Sequence, residues 1–380
     1  MKEYSQEKVD EEIRKSMESQ KTPNVLICGR TGAGKSSVIN FLFKENVAMT
    51  SDGEPCTRDI QLYKGEAVNI YDSEGYEIGS EKQAHYQRLI FDDFLEKKEN
   101  QKVGGVHIVW YTISAAGKRF TDTDISIIKK ISECKRYPLG ILLTKIDEVT
   151  EEQLASLSDS IQKEIPGAMI FKLSNVNDEA VQKFCDWKKL VDWTYNKLAK
   201  EYRYRFVSGL REGLAEKQKQ ARIAVALATA ASAGVALSPI PFSDAALLIP
   251  IQTAMIFRIS NLYGIGLGAG ATASMLTSVG LTTAGRMAAG NLVKFIPVFG
   301  TAAGITANVI VASGFTAAIG IALTELCNKQ AQDMLKGKPV TIDIEKILSS
   351  GDFLSAVRKR TESKEFEKEA EQLKNEGNNG

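Results

Sequence analysis

Gly29-Arg30-Thr31-Gly32-Ala33-Gly34-Lys35-Ser36 is the stretch that decides the fold of the first half of this 380-residue chain. It fits the pattern G-x-x-x-x-G-K-[ST], follows the apolar run Val25 to Cys28 and opens a helical segment. The glycines let backbone N–H groups turn inward around phosphates, and the helix N-terminus adds a positive dipole end. We predict a phosphate-binding loop, closed by Ser37, in which Lys35 contacts the β- and γ-phosphates and Ser36 is a Mg²⁺ ligand.

Short apolar runs alternate with amphipathic helical stretches from residue 23 to about 198. The runs are Val25 to Cys28, Ile60 to Tyr63, Val68 to Tyr71, Val106 to Ile113, Leu139 to Leu143 and Met169 to Leu173. Strands that alternate with helices predict an α/β fold with a mostly parallel sheet covered on both faces. The short gap Lys64-Gly65-Glu66 predicts a hairpin, and so one antiparallel edge strand.

Two further segments are predicted to contact the metal and the γ-phosphate. In Asp72-Ser73-Glu74-Gly75, the Asp72 carboxylate ends a strand and would hold Mg²⁺ through water, while the Gly75 N–H faces the γ-phosphate. Thr57, in Pro55-Cys56-Thr57-Arg58-Asp59, would offer its hydroxyl to Mg²⁺ from a loop that triphosphate orders. The alternative for Thr57, a threonine in a polar loop with Thr50 and Ser51 competing for the role, stays open.

The motif Thr144-Lys145-Ile146-Asp147 follows the strand Leu139 to Leu143 and predicts guanine as the base. The Asp147 carboxylate can accept both N1–H and N2–H of guanine, a pairing that adenine cannot supply. The Lys145 stem would cover the base plane. Ser174-Asn175, after the last strand, lies where a further base-contacting loop is expected. The predicted cofactors are GTP or GDP and Mg²⁺, and Lys35, Thr57 and Gly75 are the residues expected to act in catalysis.

These four elements, in this order, resemble the Era/TrmE-like branch of P-loop GTPases over residues 22 to 200. The wording Gly-Arg-Thr-Gly-Ala-Gly-Lys-Ser-Ser-Val-Ile-Asn and Cys-Thr-Arg-Asp carries the resemblance, and the P-loop is also similar to that of the immunity-related GTPases. The resemblance implies GTP hydrolysis. The chain departs from it at Ser73-Glu74, where those families usually read Asp-x-Pro-Gly. Tyr76 stands where Ras-like proteins have a water-orienting glutamine, so we expect slow intrinsic turnover.

Bulk composition narrows the class of protein. A formal net charge of +1 gives no global attraction to nucleic acid, and none is expected as a specific partner. Five scattered cysteines indicate reduced thiols in a cytoplasmic chain rather than a disulfide framework. The N-terminal segment Met1 to Lys21 is highly charged without an apolar core, which indicates a solvated helix or arm and not a secretory signal.

A change of composition divides the chain. We predict a charged N-terminal segment (1–21), a GTPase domain (22–199), a basic amphipathic connector (200–222), an Ala/Gly-rich helical domain (223–336) and a charged C-terminal segment (337–380). From Ile223 to Thr324 the only charged residues are Asp244, Arg258, Arg286 and Lys294. Residues 362–380 are polar and predict a frayed tail.

The apolar region admits two interpretations. The uncharged stretches Ile259 to Gly285 and Phe295 to Thr324 each exceed the roughly 20 residues that span a bilayer, but they are rich in Ala, Gly, Thr and Ser. Such modest hydrophobicity also suits a tightly packed soluble bundle. The connector could lie on an anionic lipid surface, or be a solvated linker.

The segment from Ser238 to Gly264 is similar to an uncharacterised bacterial domain also seen in YcjF-type membrane proteins, over about residues 220 to 330. Its Pro-x-Pro, Asp and Pro-Ile-Gln spacing carries the resemblance. Pro239 and Pro241 would break one helix and start another, with Asp244 near its N-terminus. Asp244 and Arg258 are expected to pair inside the bundle.

Together these features predict a GTP-dependent switch whose GTPase domain controls a helical module at the cytosolic face of an inner or organellar membrane, with membrane lipid as a partner. A homodimer through the GTPase domains would let Arg30 act on a neighbour's phosphate; an exposed arginine without that role is the alternative. Two other functions stay open: a soluble GTPase in ribosome or RNA assembly, and a nucleotide-gated scaffold with little hydrolysis.

Overall fold

The structure is a computed structural model. It describes residues 20–43, 54–57, 60–65, 67–73, 105–117, 120–211, 213–235, 244–264, 304–335 and 364–378, and a few single positions elsewhere. The chain divides into two compact units. One comprises Lys21–Gly213, and the other comprises Met1–Gln20 with Leu214–Gly380.

A seven-stranded sheet forms the centre of the unit Lys21–Gly213. Its strands are β1 (Asn24–Gly29), β2 (Glu54–Thr57), β3 (Ile60–Tyr63), β4 (Asn69–Ser73), β5 (Ile108–Ser114), β6 (Leu139–Thr144) and β7 (Met169–Lys172), in the spatial order β2-β3-β4-β1-β5-β6-β7. Strand β1 lies centrally, with Val25 opposite Ile70 on one side and Ile108 on the other. The glycine-rich loop therefore leaves the middle of the sheet.

The sheet is parallel from β4 through β1, β5 and β6 to β7, while β3 runs antiparallel to β4 and β2 antiparallel to β3. The predicted hairpin across Lys64 and Gly65 is thereby confirmed. The edge is β2 rather than β3. Its sequence Glu54-Pro55-Cys56-Thr57 shows no apolar alternation, so its pairing with β3 was not predicted.

Six helices described in this unit follow the strands. They are α1 (Lys35–Leu42), α2 (Asp122–Glu133), α3 (Glu151–Glu164), α4 (Glu179–Gln182), α5 (Trp187–Lys197) and α6 (Lys200–Gly209). Local sequence sets the starts of α2 and α3, because Thr121 and Thr150 each form a capping box with the third helical residue. The sequence has a further amphipathic helical stretch over residues 83–97, which lies outside the described residues except for His85 and Ile90.

The core of this unit explains why its strands read as continuous apolar runs. Leu26, Cys28, Tyr111 and Leu143 from the central strands are almost fully buried against Ile127. Strands buried on both faces need apolar residues at successive positions, because neither face meets water. The predicted α/β class with a mostly parallel sheet is confirmed.

The second unit is helical in its described part, which confirms the predicted all-α domain. Its helices are α7 (Leu214–Val235), α8 (Asp244–Leu262), α9 (Gly304–Leu335) and α10 (Lys364–Asn378). Helix α7 packs against α8, α9 and α10, and α9 also contacts α8 and α10. Helix α7 ends at Val235 and α8 begins at Asp244, which agrees with the helix start predicted near Asp244; Pro239 and Pro241 lie outside the described residues.

Small and hydroxylated residues let these helices approach closely. A Cβ at Gly320 would stand 2.5 Å from Val225 Cγ2 and 2.8 Å from Met255 Sδ. The Ser232 and Thr316 hydroxyls share a buried hydrogen bond of 2.9 Å, and the Gln252 amide donates to Thr316 Oγ1 at 3.1 Å. The interior of the bundle is therefore partly polar, and these polar groups are paired with one another.

The expectation of a frayed tail over residues 362–380 is wrong for Lys364–Asn378, which forms α10. Leu373 is buried, and Gly377 lies so close to α7 that a Cβ would meet the Ala226 carbonyl oxygen at 2.2 Å. Arg222 on α7 donates two hydrogen bonds to the Glu376 carboxylate, at 3.1 and 3.0 Å. Apolar contact and a bidentate ion pair therefore order this polar segment.

The predicted membrane stretches are described only in part, because residues 265–303 lie outside the described residues. Where the structure is described, no helix combines the length and the apolar composition that crossing a bilayer requires. Arg258 is buried, but the side chain of Asp244 is not described, so their pairing stays a prediction.

Candidate nucleotide-binding site

The glycines of the loop after β1 take backbone conformations that other residues rarely adopt. Gly29, Gly32 and Gly34 have φ angles of 135°, 76° and 88°. A Cβ at Gly29 would stand 2.2 Å from the Thr112 carbonyl oxygen on β5. The loop can therefore cross the end of the sheet only with glycine at position 29.

Lys35 begins α1 and lies buried over the same loop. Its ammonium group donates long hydrogen bonds to the carbonyl oxygens of Gly29 (3.5 Å) and Arg30 (3.4 Å). Burial lowers the pKa of Lys35, and the nearby Asp72 carboxylate and Cys28 thiol raise it. The unit therefore holds a partly desolvated cation against the phosphate-binding loop.

Asp72 lies near the end of β4, beside Lys35. Burial raises the pKa of Asp72 to about 6, although the Lys35 ammonium lowers it. Its Oδ1 atom is buried without a hydrogen-bond partner among the described residues. A buried carboxylate oxygen that has lost its water needs a cation or a donor, and an oxygen ligand of this kind suits Mg²⁺. Ser36, at the start of α1, adds an exposed hydroxyl.

Thr144 joins the predicted base motif to the phosphate-binding loop. Its hydroxyl donates to the Ala33 carbonyl at 2.6 Å and lies 3.3 Å from the Ile113 carbonyl. A Cβ at Gly34 would stand 3.3 Å from Thr144 Oγ1. The end of β6 and the phosphate-binding loop are thus in direct contact.

Asp147 and Ser174 come together from the ends of β6 and β7. The Ser174 hydroxyl donates to Asp147 Oδ1 at 2.5 Å and accepts from the Val176 N–H at 3.1 Å. The Ser174 side chain is buried, whereas Asp147 is exposed. One oxygen of the Asp147 carboxylate is therefore held by the buried Ser174 hydroxyl, while the residue itself is exposed.

Two residues that the sequence did not single out support this second loop. Gln182 Nε2 donates to the carbonyl oxygens of Ser174 (2.9 Å) and Val176 (2.7 Å), and Trp187 Nε1 donates to the Ser174 carbonyl at 3.1 Å. The Trp187 ring also stacks on Phe41 of α1. Gln182 and Trp187 lie 8 and 13 positions after Ser174, a spacing that belongs to no phosphate or base motif.

The remaining predicted residues are placed as follows. Thr31, Ser37 and Asn175 are exposed, Arg30 is half-exposed, and Lys145 has a left-handed backbone with φ of 55°. Thr57 is the last residue of β2 rather than a loop residue, and its side chain is not described. Glu74, Gly75 and Tyr76 lie outside the described residues. The structure therefore brings together the segments of Lys35, Asp72, Thr144, Asp147 and Ser174 at the carboxyl edge of the parallel strands.

A glycine-rich loop between a central strand and a helix, placed at the carboxyl edge of a parallel sheet, defines a P-loop nucleotide-binding protein. The base motif at the end of β6, in contact with that loop, places the chain among the GTPases.

Known proteins bear this out. Residues 24–145 match the family described as 50S ribosome-binding GTPase, and residues 209–351 match a domain of unknown function, DUF697. The chain is 30% identical over 158 residues to a probable GTP-binding protein EngB of Wolbachia pipientis wMel. The alignment covers 39% of this chain and 75% of that relative. It is 25% identical over 167 residues to GTPase Era of Leuconostoc citreum strain KM20. That alignment covers 43% of this chain and 52% of the Era protein.

A solved structure of a probable GTP-binding protein engB is 16% identical and covers 46% of this chain and 97% of its own, with a TM-score of 0.33. The sequence matches show that the chain belongs to the family of Era- and EngB-like GTP-binding proteins, and that its GTPase domain is followed by a DUF697 domain like that of YcjF-type proteins.

Proposed function

We propose that this chain is a Mg²⁺-dependent GTP switch in which the unit Lys21–Gly213 binds the nucleotide and the DUF697 unit delivers the output. The observation that carries the proposal is the hydrogen bond from Thr144 to Ala33, because it joins the base motif to the phosphate-binding loop. A guanine held at Asp147 and phosphates held at Lys35 then belong to one ligand.

The proposed roles follow from the positions. Backbone N–H groups from Gly29 to Ser37 surround the phosphates, and Lys35 exchanges its two long bonds to loop carbonyls for phosphate oxygens. Ser36, Asp72 and Thr57 hold Mg²⁺, which when bound neutralises charge on the β- and γ-phosphates. Asp147 reads the guanine edge, Lys145 covers the base, and the Ser174-Asn175 loop closes its side.

Slow intrinsic hydrolysis belongs to the same proposal. Gly75 would place its N–H at the γ-phosphate, but the next residue is Tyr76, which cannot orient a water as glutamine does. A second copy of the chain that brought Arg30 to the neighbouring phosphates would supply the missing charge. If so, the turnover number should rise with protein concentration.

The output reaches the helical unit through a short connection. Arg211 donates from its backbone N–H to the Leu42 carbonyl at 2.8 Å and from its guanidinium to the Asn40 carbonyl at 3.1 Å. Phe43 and Leu210 form a β-bridge. The chain that leads into α7 at Leu214 is thus attached to the end of α1, whose other end carries Lys35.

We further propose that the helical unit acts at a membrane surface, which its low charge between Ile223 and Thr324 supports. The family description, 50S ribosome-binding GTPase, favours a second candidate, a large ribosomal subunit as the partner. Flotation with liposomes and sedimentation with large ribosomal subunits, each with GDP and with a non-hydrolysable GTP analogue, separate the two. The partner bound more tightly with the triphosphate is the one that the switch controls.

The test of nucleotide binding is titration of the full chain with GTP and ATP in Mg²⁺. We expect GTP to bind at least about a hundredfold more tightly than ATP, because a site that hydrogen-bonds one base leaves its polar groups unpaired with another. Lys35→Ala should abolish GTP binding. Lys129→Ala, at a surface lysine paired with Glu164, is the control and should leave it intact. Undiminished GTP binding by Lys35→Ala would refute the proposal.

A further inference from the structure

Two side chains that follow the segment from Ser174 to Val176 in sequence donate to its carbonyl groups and help to fix its shape. Trp187 Nε1 and Gln182 Nε2 both donate to the Ser174 carbonyl oxygen, at 3.1 and 2.9 Å. A carbonyl oxygen has two lone pairs, and these two N–H groups are its strong donors; the Cys185 thiol adds a longer, weaker contact at 3.8 Å. Gln182 also donates to the Val176 carbonyl at 2.7 Å, which fixes both ends of the three-residue segment.

The side chain of Ser174 is fixed from a third direction. Its hydroxyl accepts from the Val176 N–H, which leaves its own proton to donate to the Asp147 carboxylate. Because one hydroxyl serves both bonds, a small rotation of the Ser174 backbone would move it away from Asp147. The orientation of Asp147 therefore depends on what holds Ser174.

Trp187 adds a contact that Gln182 lacks. Its ring stacks on Phe41 of α1, with centroids 4.1 Å apart and an angle of 15° between the planes. Phe41 lies in the helix that Lys35 begins. The indole ring is thus held by the far end of the helix that Lys35 begins, while its N–H holds the Ser174 carbonyl.

We propose that Trp187, assisted by Gln182, is a positioning residue for guanine selectivity. The indole aligns Ser174, Ser174 aligns Asp147, and Asp147 then accepts N1–H and N2–H of guanine together. This inference rests on the proposed function, since it concerns how the same site chooses its base. Trp187 itself needs no contact with the nucleotide.

The experiment compares GDP with IDP, whose base lacks the exocyclic amine, by calorimetric titration of the full chain. Trp187→Phe keeps an aromatic ring beside Phe41 but removes the N–H donor together with part of the indole ring, a loss of size that the Trp193→Phe control shares. We expect it to weaken GDP binding by about fivefold, the size of one hydrogen bond, and IDP binding by less. The ratio of GDP affinity to IDP affinity should therefore decrease. Trp193→Phe is the matched control, since Trp193 is on the same helix but packs against Phe171 and Gly140, and it should leave the ratio unchanged.

Gln182→Met provides an independent test if Trp187→Phe folds poorly. It removes two donors to the loop without touching Phe41, and it should narrow the ratio in the same direction. Two results would overturn the inference: a ratio like that of the unsubstituted chain in both variants, or equal losses of GDP and IDP affinity accompanied by a lower melting temperature. An unsubstituted chain that does not prefer GDP to ADP would overturn the proposed function as well, so the two failures are distinguishable.

Discussion

The hydroxyl of Thr144 donates a hydrogen bond of 2.6 Å to the carbonyl of Ala33, which lies 111 positions earlier in the chain. Both groups are buried, and a Cβ at Gly34 would approach Thr144 Oγ1 tightly, to 3.3 Å. The contact fixes the distance between the phosphate-binding loop and the base motif before any nucleotide arrives. A preorganised site of this kind avoids the cost of ordering the two loops at the moment of binding.

Thr144→Val tests this contact. The substitution keeps the shape of the side chain but leaves the Ala33 carbonyl without its buried donor, which should lower the free energy of unfolding by about 1–3 kcal/mol. GDP affinity should fall as well, because the loops are no longer joined. Thr144→Ser retains the hydroxyl and serves as the control in urea unfolding and GDP titration. Equal stability of the Val and Ser variants would contradict the role given to this bond.

Substitutions at Gly29 and Gly32 distinguish the cost of steric overlap from the cost of backbone strain. Gly29→Ala should destabilise the unit by at least about 3 kcal/mol, since a Cβ would overlap the Thr112 carbonyl in addition to straining the backbone. Gly32→Ala meets nothing within 4 Å, so only the strain of its positive φ remains, about 1–2 kcal/mol. Thermal unfolding of the two variants gives the comparison. If Gly32→Ala were the more damaging, the placement of the loop against β5 would be wrong.

Asp72 should make the stability of the nucleotide-free chain depend on pH. Its pKa in the folded state is about 6, above the ordinary value of 3.8, because burial disfavours the charged form. The folded state therefore holds the proton more tightly, and this contribution to stability is full below pH 3.8 and is lost as pH rises through about 6.

Asp72→Asn removes the titration while keeping a neutral side chain of similar size. The unsubstituted chain should lose stability between pH 4 and pH 7, whereas Asp72→Asn should not show this loss. The free energy of unfolding of the variant should therefore rise relative to that of the unsubstituted chain, as measured by urea denaturation without Mg²⁺. A difference that is flat over this range would show that Asp72 is not desolvated.

Alanine substitutions at two glycines of α9 should change the stability of the helical unit in opposite directions. Gly320→Ala should destabilise it by about 1–3 kcal/mol, because the added methyl would press on Val225 and Met255. Gly314→Ala adds a methyl with nothing within 4 Å and should stabilise α9 by about 0.5–1 kcal/mol through helix propensity. Denaturant unfolding of the two variants decides it. The helix packing described for α9 fails if both substitutions shift stability in the same direction.

The sequence predicts an element well when local pattern determines its place, and poorly when the element depends on a distant partner. The strands around Val25 and Leu143 were predictable because both faces are buried and every position must be apolar. Strand β2 was not, since an edge strand depends on its neighbour β3 and carries little pattern of its own. The role of Lys35 follows from a local motif. The role of Trp187 does not, because an aromatic side chain within an amphipathic helix indicates only a core position.

The helix α10 was missed for a different reason. Its sequence is strongly charged, and a charged tail usually indicates disorder. The signal that could have found it is the spacing of Phe366, Ala370, Leu373 and Gly377, which places four small or apolar residues on one face of a helix. Whether such a sparse stripe is buried depends on α7, and no local pattern shows the partner.

The helix α6 has a practical consequence for anyone who wishes to express the nucleotide-binding unit alone. Phe206 is fully buried and lies edge-on to Phe43, whose ring is 6.4 Å from that of Trp110. The Lys21 N–H donates to the Glu201 carbonyl, so α6 also holds the first strand at its entry. A recombinant fragment that stops at residue 199 would leave those aromatic rings open to water and should aggregate. A fragment that continues to Gly213 keeps these rings buried, and we expect it to be purified without aggregation.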